Sequence, residues 1–319
     1  MNKNSVLEKK KSITLVMLEV IIALIPAIIC MVYFYGKSYV FHLINSAAFA
    51  IVSEAVFFYL KGYEYNKILF RIKDCSALLT AFLLALSMPP DIPWYLVSIG
   101  SMFAVVIAKQ LYGGLGQNIF NPAMVGYCVL LISFPAIFTS WPMSKNINEE
   151  PSYDSISSAT PLETIKSQTK NNQTISYIKN SNPEIFSTWM IINISYLIGG
   201  VYLIIRKIIR FTPSATFLSS IALLSYIFSI INPDIYPGIY VNLFSGATMI
   251  AAFFIITDPV TMPANKTSQI IYAFGIALFT YVIRTFAGYP DGVAFSVLLM
   301  NATVPLLDKI NIPKPFGVR

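Results

Sequence analysis

Histidine, cysteine and charge are all scarce in this chain of 319 residues. There is one histidine, His42, and there are three cysteines, Cys30, Cys75 and Cys128, none in a C-x-x-C pair. That argues against a disulfide framework, an iron–sulfur cysteine pattern and a metal site. The cysteines read as small apolar residues inside helices. No G-x-G-x-x-G follows a strand-like segment, so a dinucleotide fold is not indicated. Charged residues make up 12% of the chain, against roughly 25% in a soluble domain. The net charge of +7 comes without a basic stripe interleaved with aromatics, so no nucleic acid is expected as a partner.

What is present is a series of apolar runs. Spanning a bilayer takes about 20 such residues, and ten candidates fit: 13–35, 39–60, 74–88, 94–111, 122–139, 187–205, 214–232, 241–257, 268–286 and 292–308. The first run is too long for a secretory signal and lacks a small-residue cleavage site, so it reads as a membrane helix. The third is short and stops at Met88-Pro89-Pro90, which predicts a half-helix. Lysine and arginine cluster before the first run (Lys3, Lys9, Lys10, Lys11), between the second and third (Lys61, Lys67, Arg71, Lys73), between the sixth and seventh (Arg206, Lys207, Arg210) and at the end (Lys309, Lys314, Arg319). Ten crossings put all four clusters on one face. By the positive-inside rule that face is cytoplasmic, with both termini inside and the polar loop 140–186 outside the cell membrane.

The chain also repeats itself. Leu79–Pro90 and Thr248–Pro259 are each an apolar helix ending in a hydroxyl residue and proline. A further helix follows each, then a glycine-rich break: Gly113-Gly114-Leu115-Gly116 in one half, Gly288 to Gly292 in the other. Five helices per half is an odd number, so the second half enters the membrane from the opposite side. The expected fold is an all-α integral membrane protein of two inverted five-helix repeats with broken helices, 1–139 and 187–319, joined by the loop 140–186. Such repeats place ligand or ion sites where broken helices meet.

The loop carries Asp154-Ser155-Ile156-Ser157-Ser158-Ala159-Thr160. This fits the pattern D-x-x-[ST]-x-A-T, with Asp154, Ser157, Ala159 and Thr160 on the matching positions and Ser158 where glycine is common. A second segment, Gly113-Gly114-Leu115-Gly116-Gln117-Asn118-Ile119-Phe120-Asn121-Pro122-Ala123-Met124, and a third, Thr257-Asp258-Pro259, complete the set. On these residues the chain resembles the RnfD/NqrB membrane subunits of Rnf-type ferredoxin:NAD oxidoreductases and sodium-pumping quinone reductases. Its modest length resembles the Rnf D subunit more. The resemblance implies FMN bonded through a phosphoester to Thr160 by a flavin transferase, with Asp154, Ser157, Ser158 and Ala159 as the attachment signal. It further implies partner subunits that include a second flavoprotein, electron transfer coupled to Na⁺ or H⁺ movement, and an architecture similar to urea channels. It also allows a non-covalent riboflavin between the halves.

The residues support that implication. A hydroxyl is needed to take the ester, and small neighbours let a bulky ring approach. Ser245-Gly246-Ala247-Thr248 is a cleaner S-G-A-T, but Asn242 stands where the aspartate is required and the stretch opens a membrane helix. Ser245, Gly246 and Thr248 therefore read as close packing or pocket lining. Gly113, Gly114, Gly116, Gln117, Asn118, Asn121 and Asp258 are candidates for a flavin or ion pocket, or else a helix-breaking turn with capping asparagines. Glu19, Glu54 and Arg284 are ionisable residues inside expected helices, hence ion-path candidates, unless Glu19 and Glu54 simply reach water at the cytoplasmic ends. The competing function is a solute channel, which suits inverted repeats equally but needs no flavin signal outside.

Overall fold

The computed structural model describes residues 12–139, 141–142, 157–158, 160–289 and 291–310. Helix α1 (Ile13–Tyr35) opens on Ser12, whose hydroxyl accepts from the Leu15 amide at 3.3 Å. It ends at Gly36, whose φ of 80° lets α2 (Lys37–Leu60) begin at once. A short amphipathic helix, α3 (Tyr65–Ile72), follows.

Along α2 the buried residues are Tyr39, His42, Leu43, Ser46, Ala50, Glu54 and Phe58, spaced by three and four. The opposite stripe, with Phe41, Ile44, Val52 and Val56, is exposed and apolar. A soluble helix has the reverse arrangement. Polar groups inward and hydrocarbon outward is what lipid demands, because the bilayer core offers an exposed polar group no partner.

Helix α4 (Ser76–Leu86) has 11 residues, about 17 Å, roughly half of a hydrocarbon core. Asp74 caps it, its Oδ1 accepting from the Ser76 amide and hydroxyl at 2.7 and 2.5 Å. It stops ahead of Pro89-Pro90, as the sequence predicts. Helix α5 (Trp94–Gln110) winds as π-helix over Phe103–Gln110. Helix α6 (Pro122–Ser133) is capped by Asn121, and α7 (Pro135–Thr139) is a separate short piece. Pro135 thus interrupts the span expected over 122–139.

Polar residues dominate the loop 140–186. In its described part it folds: α8 (Pro161–Lys170) and α9 (Ile175–Ser181) bury Leu162, Ile165, Ile175 and Ile178 against Phe186 and Val241. Then come α10 (Pro183–Ile205), α11 (Phe211–Ile231), α12 (Ile239–Phe244), α13 (Thr248–Ile250), α14 (Lys266–Phe286) and α15 (Val293–Leu307). Helix α13 runs on as π-helix through Ala251–Ile255. The continuous span expected over 241–257 is therefore split at Ser245-Gly246-Ala247. Gly246 turns the chain there with φ 60°.

Among the described residues, α1, α2, α10, α11 and α14 are long and apolar enough to cross a membrane. Helices α4, α5, α6 and α15 are apolar but shorter. Helix α1 lies along α10 and α6 against α15, while α2 packs on α4 and α5 as α11 packs on α14. Small residues set these approaches. A Cβ on Gly199 would lie 2.0 Å from the Ala23 carbonyl oxygen, and one on Gly126 would lie 2.6 Å from that of Gly100.

One face is basic. Glu19 of α1 pairs with Arg206 just past α10 and accepts from the Tyr202 hydroxyl at 2.5 Å. Arg210 donates to the Ala264 carbonyl at 2.8 Å, and the Ala264 amide donates to Asp308 at 2.9 Å. The starts of α1 and α11 and the ends of α10 and α15 therefore share this face.

Candidate functional site

Two cavities lie between the halves. The first, about 800 Å³, is near the basic face and is lined by Val16 and Met17 of α1, Ser76 and Thr80 of α4, Lys109, Asn118, Asn121, Phe254, Thr257 and Asp258. The second, about 740 Å³, is at the far face and is lined by Met31, Ser87, Trp141, Thr160, Trp189, Tyr196, Gly246, Ala247 and Asp291. Helix α4 begins at the first cavity and ends at the second. Helix α13 begins at the second, and the chain beyond it reaches the first at Thr257 and Asp258. The two half-helices thus run in opposite directions between the same two cavities.

At each half-helix start a basic side chain from the last turn of a long helix meets a hydroxyl and a carboxylate. At the basic face, Lys109 of α5 donates to the Ser76 hydroxyl at 2.5 Å and to Glu54 Oε1 at 2.7 Å. Gln110 adds a hydrogen bond to the same Oε1 at 2.5 Å, and Glu54 Oε2 has no partner among the described residues. At the far face, Arg284 of α14 donates to the Thr248 hydroxyl at 2.9 Å and grips Asp291 with two bonds of 2.9 and 3.0 Å. The cations stand at the positive ends of their half-helices, a placement that costs free energy unless an anion offsets it. Glu54 and Asp291 supply that anion. Burial pushes the Asp291 carboxyl up, but Arg284 and the amides of Ala247 and Val293 outweigh it and hold it below the usual carboxylate range.

Thr160 is the N-cap of α8, its hydroxyl accepting from the Glu163 amide at 3.3 Å. It is buried in the wall of the far-face cleft. The α8 segment docks on the second half through Lys166, which donates to the Tyr289 carbonyl at 2.8 Å. Burial pulls the Lys166 ammonium below the usual lysine value, with Glu163 opposing. Gly246 faces Leu162 so closely that a Cβ there would lie 2.7 Å from Leu162 Cδ1 and 2.6 Å from Asp291 Oδ2. Asp154 and Ala159 lie outside the described residues; Ser157 and Ser158 form the backbone pairing with Pro142 and Trp141.

The other expected residues divide. Thr248 is consumed structurally: its hydroxyl donates to the Asn242 carbonyl at 2.7 Å while accepting from Arg284. Ser245 is buried beside it. Gly113, Gly114 and Gly116 take φ of 119°, 96° and 88°, a turn only glycine makes readily. Asn121 caps α6, and its amide donates to Asn301 at 3.1 Å. Asn118 and Asn121 line the basic-face cavity, whereas Gln117 is exposed. Asp258 lines that cavity and closes its own turn through the Val260 amide and Thr261 hydroxyl, at 3.1 and 3.2 Å. Glu54 corrects the idea that it reaches water, since it is 1% exposed. Lys109 and Asp291 are site residues that the sequence patterns above leave out. Each is legible as a charge out of place, one inside the apolar run 94–111 and the other in a glycine-rich break.

The sequence profile of the NQR2, RnfD, RnfE family matches residues 1–317. A protein of Psychromonas ingrahamii is 39% identical over 341 aligned positions, covering 98% of this chain and 97% of that protein. One of Pectobacterium atrosepticum is 40% identical, covering 95% and 94%. One of Escherichia coli O1:K1 is 39% identical, with the same coverage. All three are named as the D subunit of an ion-translocating oxidoreductase complex.

Proposed function

Because this chain belongs to the NQR2, RnfD, RnfE family, we propose that it is the D-type membrane subunit of an ion-translocating electron transport complex, carrying FMN esterified to Thr160. The two halves form an inverted repeat in the cytoplasmic membrane, with the basic face inside and the Thr160 cleft outside. What supports the repeat is the pairing of like with like: α1 on α10, α6 on α15, and the opposed half-helices with Lys109–Ser76 at one end and Arg284–Thr248 at the other.

The observation that carries the flavin reading is the place of Thr160. Its hydroxyl sits at the N-terminus of α8 and in the wall of the far-face cleft. A phosphate esterified there lies at the positive end of a helix, whose dipole favours an anion. Gly246 lets Leu162 of α8 pack close against the second half, which holds Thr160 in the cleft wall. Bound FMN supplies one- and two-electron transfer; the chain holds its phosphate, shields it from water and fixes its side of the membrane. The basic-face cavity is the place for a non-covalent riboflavin, with Lys109, Asn118 and Asn121 as its polar partners. All three ion-path candidates are held in ion pairs. Glu54 is the one whose second carboxylate oxygen is buried without a partner among the described residues.

The relay runs between ferredoxin- and NAD-linked partner subunits, including a second flavoprotein, and a flavin transferase installs the ester. In-gel flavin fluorescence of the denatured chain tests this, with Thr160→Ala and Thr160→Ser beside the wild type. A fluorescent wild-type band, lost in the alanine variant, is expected. A dark wild-type band from a host that has the transferase overturns the flavin reading and leaves the channel.

A further inference from the structure

Tyr196, in the middle of α10, is 4% exposed, and its hydroxyl has no hydrogen-bond partner among the described residues. A buried hydroxyl left unpaired costs about 1–3 kcal/mol, and native proteins rarely leave one so without a ligand or ordered water. The open space beside Tyr196 is the far-face cleft, which it helps to line. The cleft walls there are aromatic. Trp141 and Trp189 meet edge to face at 5.0 Å, and Tyr127 meets Phe138 at 5.2 Å. All four rings line the same space. On its other side the Tyr196 ring packs against Phe254 at 6.1 Å, and Phe254 lines the basic-face cavity.

We infer that the deep end of this cleft seats the flavin ring itself, with the Tyr196 hydroxyl as its hydrogen-bond donor and the Trp141–Trp189 pair as its wall. This rests on the proposal that FMN is carried on Thr160. Aromatic walls suit a flat conjugated ring. A hydroxyl donor satisfies its acceptor edge and ends the isolation of the phenol. Hydrogen bonds strengthen as the acceptor gains charge, so a donor held against the ring favours its reduced form. Tyr196 is then a positioning residue that sets the flavin's potential and takes no part in attachment.

The test is Tyr196→Phe in the full-length chain, made in a host with the transferase. Two readouts are needed: in-gel fluorescence of the denatured chain, and a potentiometric titration of the native protein. The expected result is a covalent band equal to wild type with the midpoint potential moved to a more negative value. An equal band with an unmoved potential overturns the inference, because water or nothing then meets the hydroxyl. A dark wild-type band fails the earlier proposal instead, and is distinguishable for that reason. Thermal stability of chain made without the transferase gives a second check. Removing an unpaired hydroxyl should leave the unfolding midpoint unchanged or raised, and a lowered midpoint in Tyr196→Phe would show that the hydroxyl bonds to protein, overturning the assignment.

Discussion

Replacing Lys109 by methionine should destabilise the chain far more than replacing Lys109 and Glu54 together. The pair is almost sealed, with side chains 2% and 2% exposed and 2.7 Å between charged atoms. Removing the ammonium leaves a buried carboxylate that, among the described residues, has the Gln110 amide as its hydrogen-bonding partner on Oε1 and none on Oε2. Breaking such a pair from one side costs about 3–5 kcal/mol, whereas exchanging both partners for well-packed neutral residues is often neutral or stabilising. A kcal/mol moves the unfolding midpoint by roughly 2–4 °C in chains of 150–250 residues. At the lower end of that range the single variant should lose about 6–10 °C. The double variant Glu54→Gln, Lys109→Met should recover most of it. A thiol-reactive fluorogenic dye reads this directly, because Cys128 is buried and Cys30 and Cys75 are partly so. A Lys109→Met midpoint within about a degree of wild type would refute the reasoning, as would a double variant that loses the sum of the singles. Either would mean that water reaches the cluster and each charge is solvated on its own.

Three further outcomes follow from the same geometry. Gly246→Ala needs φ 60° and a Cβ within 2.7 Å of Leu162, so it should push α8 off the second half; limited proteolysis of the 140–186 loop should quicken and covalent flavin fall. Ile178→Ala removes a fully buried side chain from the α8–α9 cluster, at about 2–5 kcal/mol, and hydrogen exchange should rise in 160–182 while α14 and α15 stay protected. The Asp291 carboxyl is held low, so its contribution is present above the ordinary carboxylate pKa of about 3.9 and lost as pH falls through its lower folded value; the gap in melting midpoint between wild type and Asp291→Asn should be constant from pH 7 to 5 and shrink only below about pH 4.

Most of the helix plan was legible because lipid selects on composition, and apolar runs announce themselves. The Pro89-Pro90 stop marked α4 as a half-helix for the same local reason the structure shows. The matching break at Ser245-Gly246-Ala247 was harder to see. Its residues are small rather than helix-breaking, and only the positive φ of Gly246 reveals the turn. The folding of α8 and α9 was hidden because their apolar residues are few and dilute, and they find their partners in Phe186 and Val241 on other elements. Lys109 was lost in a hydropathy average. The burial of Glu54 could not be read without knowing that Lys109 faces it across two helices. The π-turns that carry Lys109 and Gln110 inward leave no mark in sequence, since they arise from packing rather than propensity.

The two ends of the membrane core are alike in design and unlike in state. Each sets a cation at the start of a half-helix with a carboxylate beside it; Lys109 lines the basic-face cavity, whereas at the far face Asp291 rather than Arg284 lines the cleft. At the far face, Asp291 uses both oxygens on Arg284 and takes two backbone amides as well. That cluster is complete, and its work is to hold the turn on which Gly246 meets Leu162 of α8. At the basic face, both Lys109 and Gln110 crowd Glu54 Oε1 while Oε2 has no partner among the described residues. A carboxylate so placed can accept a proton or a cation without first surrendering a bond. If ion movement is coupled to the charge on a ligand in this chain, the asymmetry puts the coupling at Glu54 and leaves Arg284 as scaffold. Charge-conserving exchange then separates the two roles: Glu54→Asp should alter the ion dependence of electron transfer at unchanged flavin content, whereas Arg284→Lys, which cannot reproduce the two-pronged grip, should lower flavin content at unchanged ion dependence.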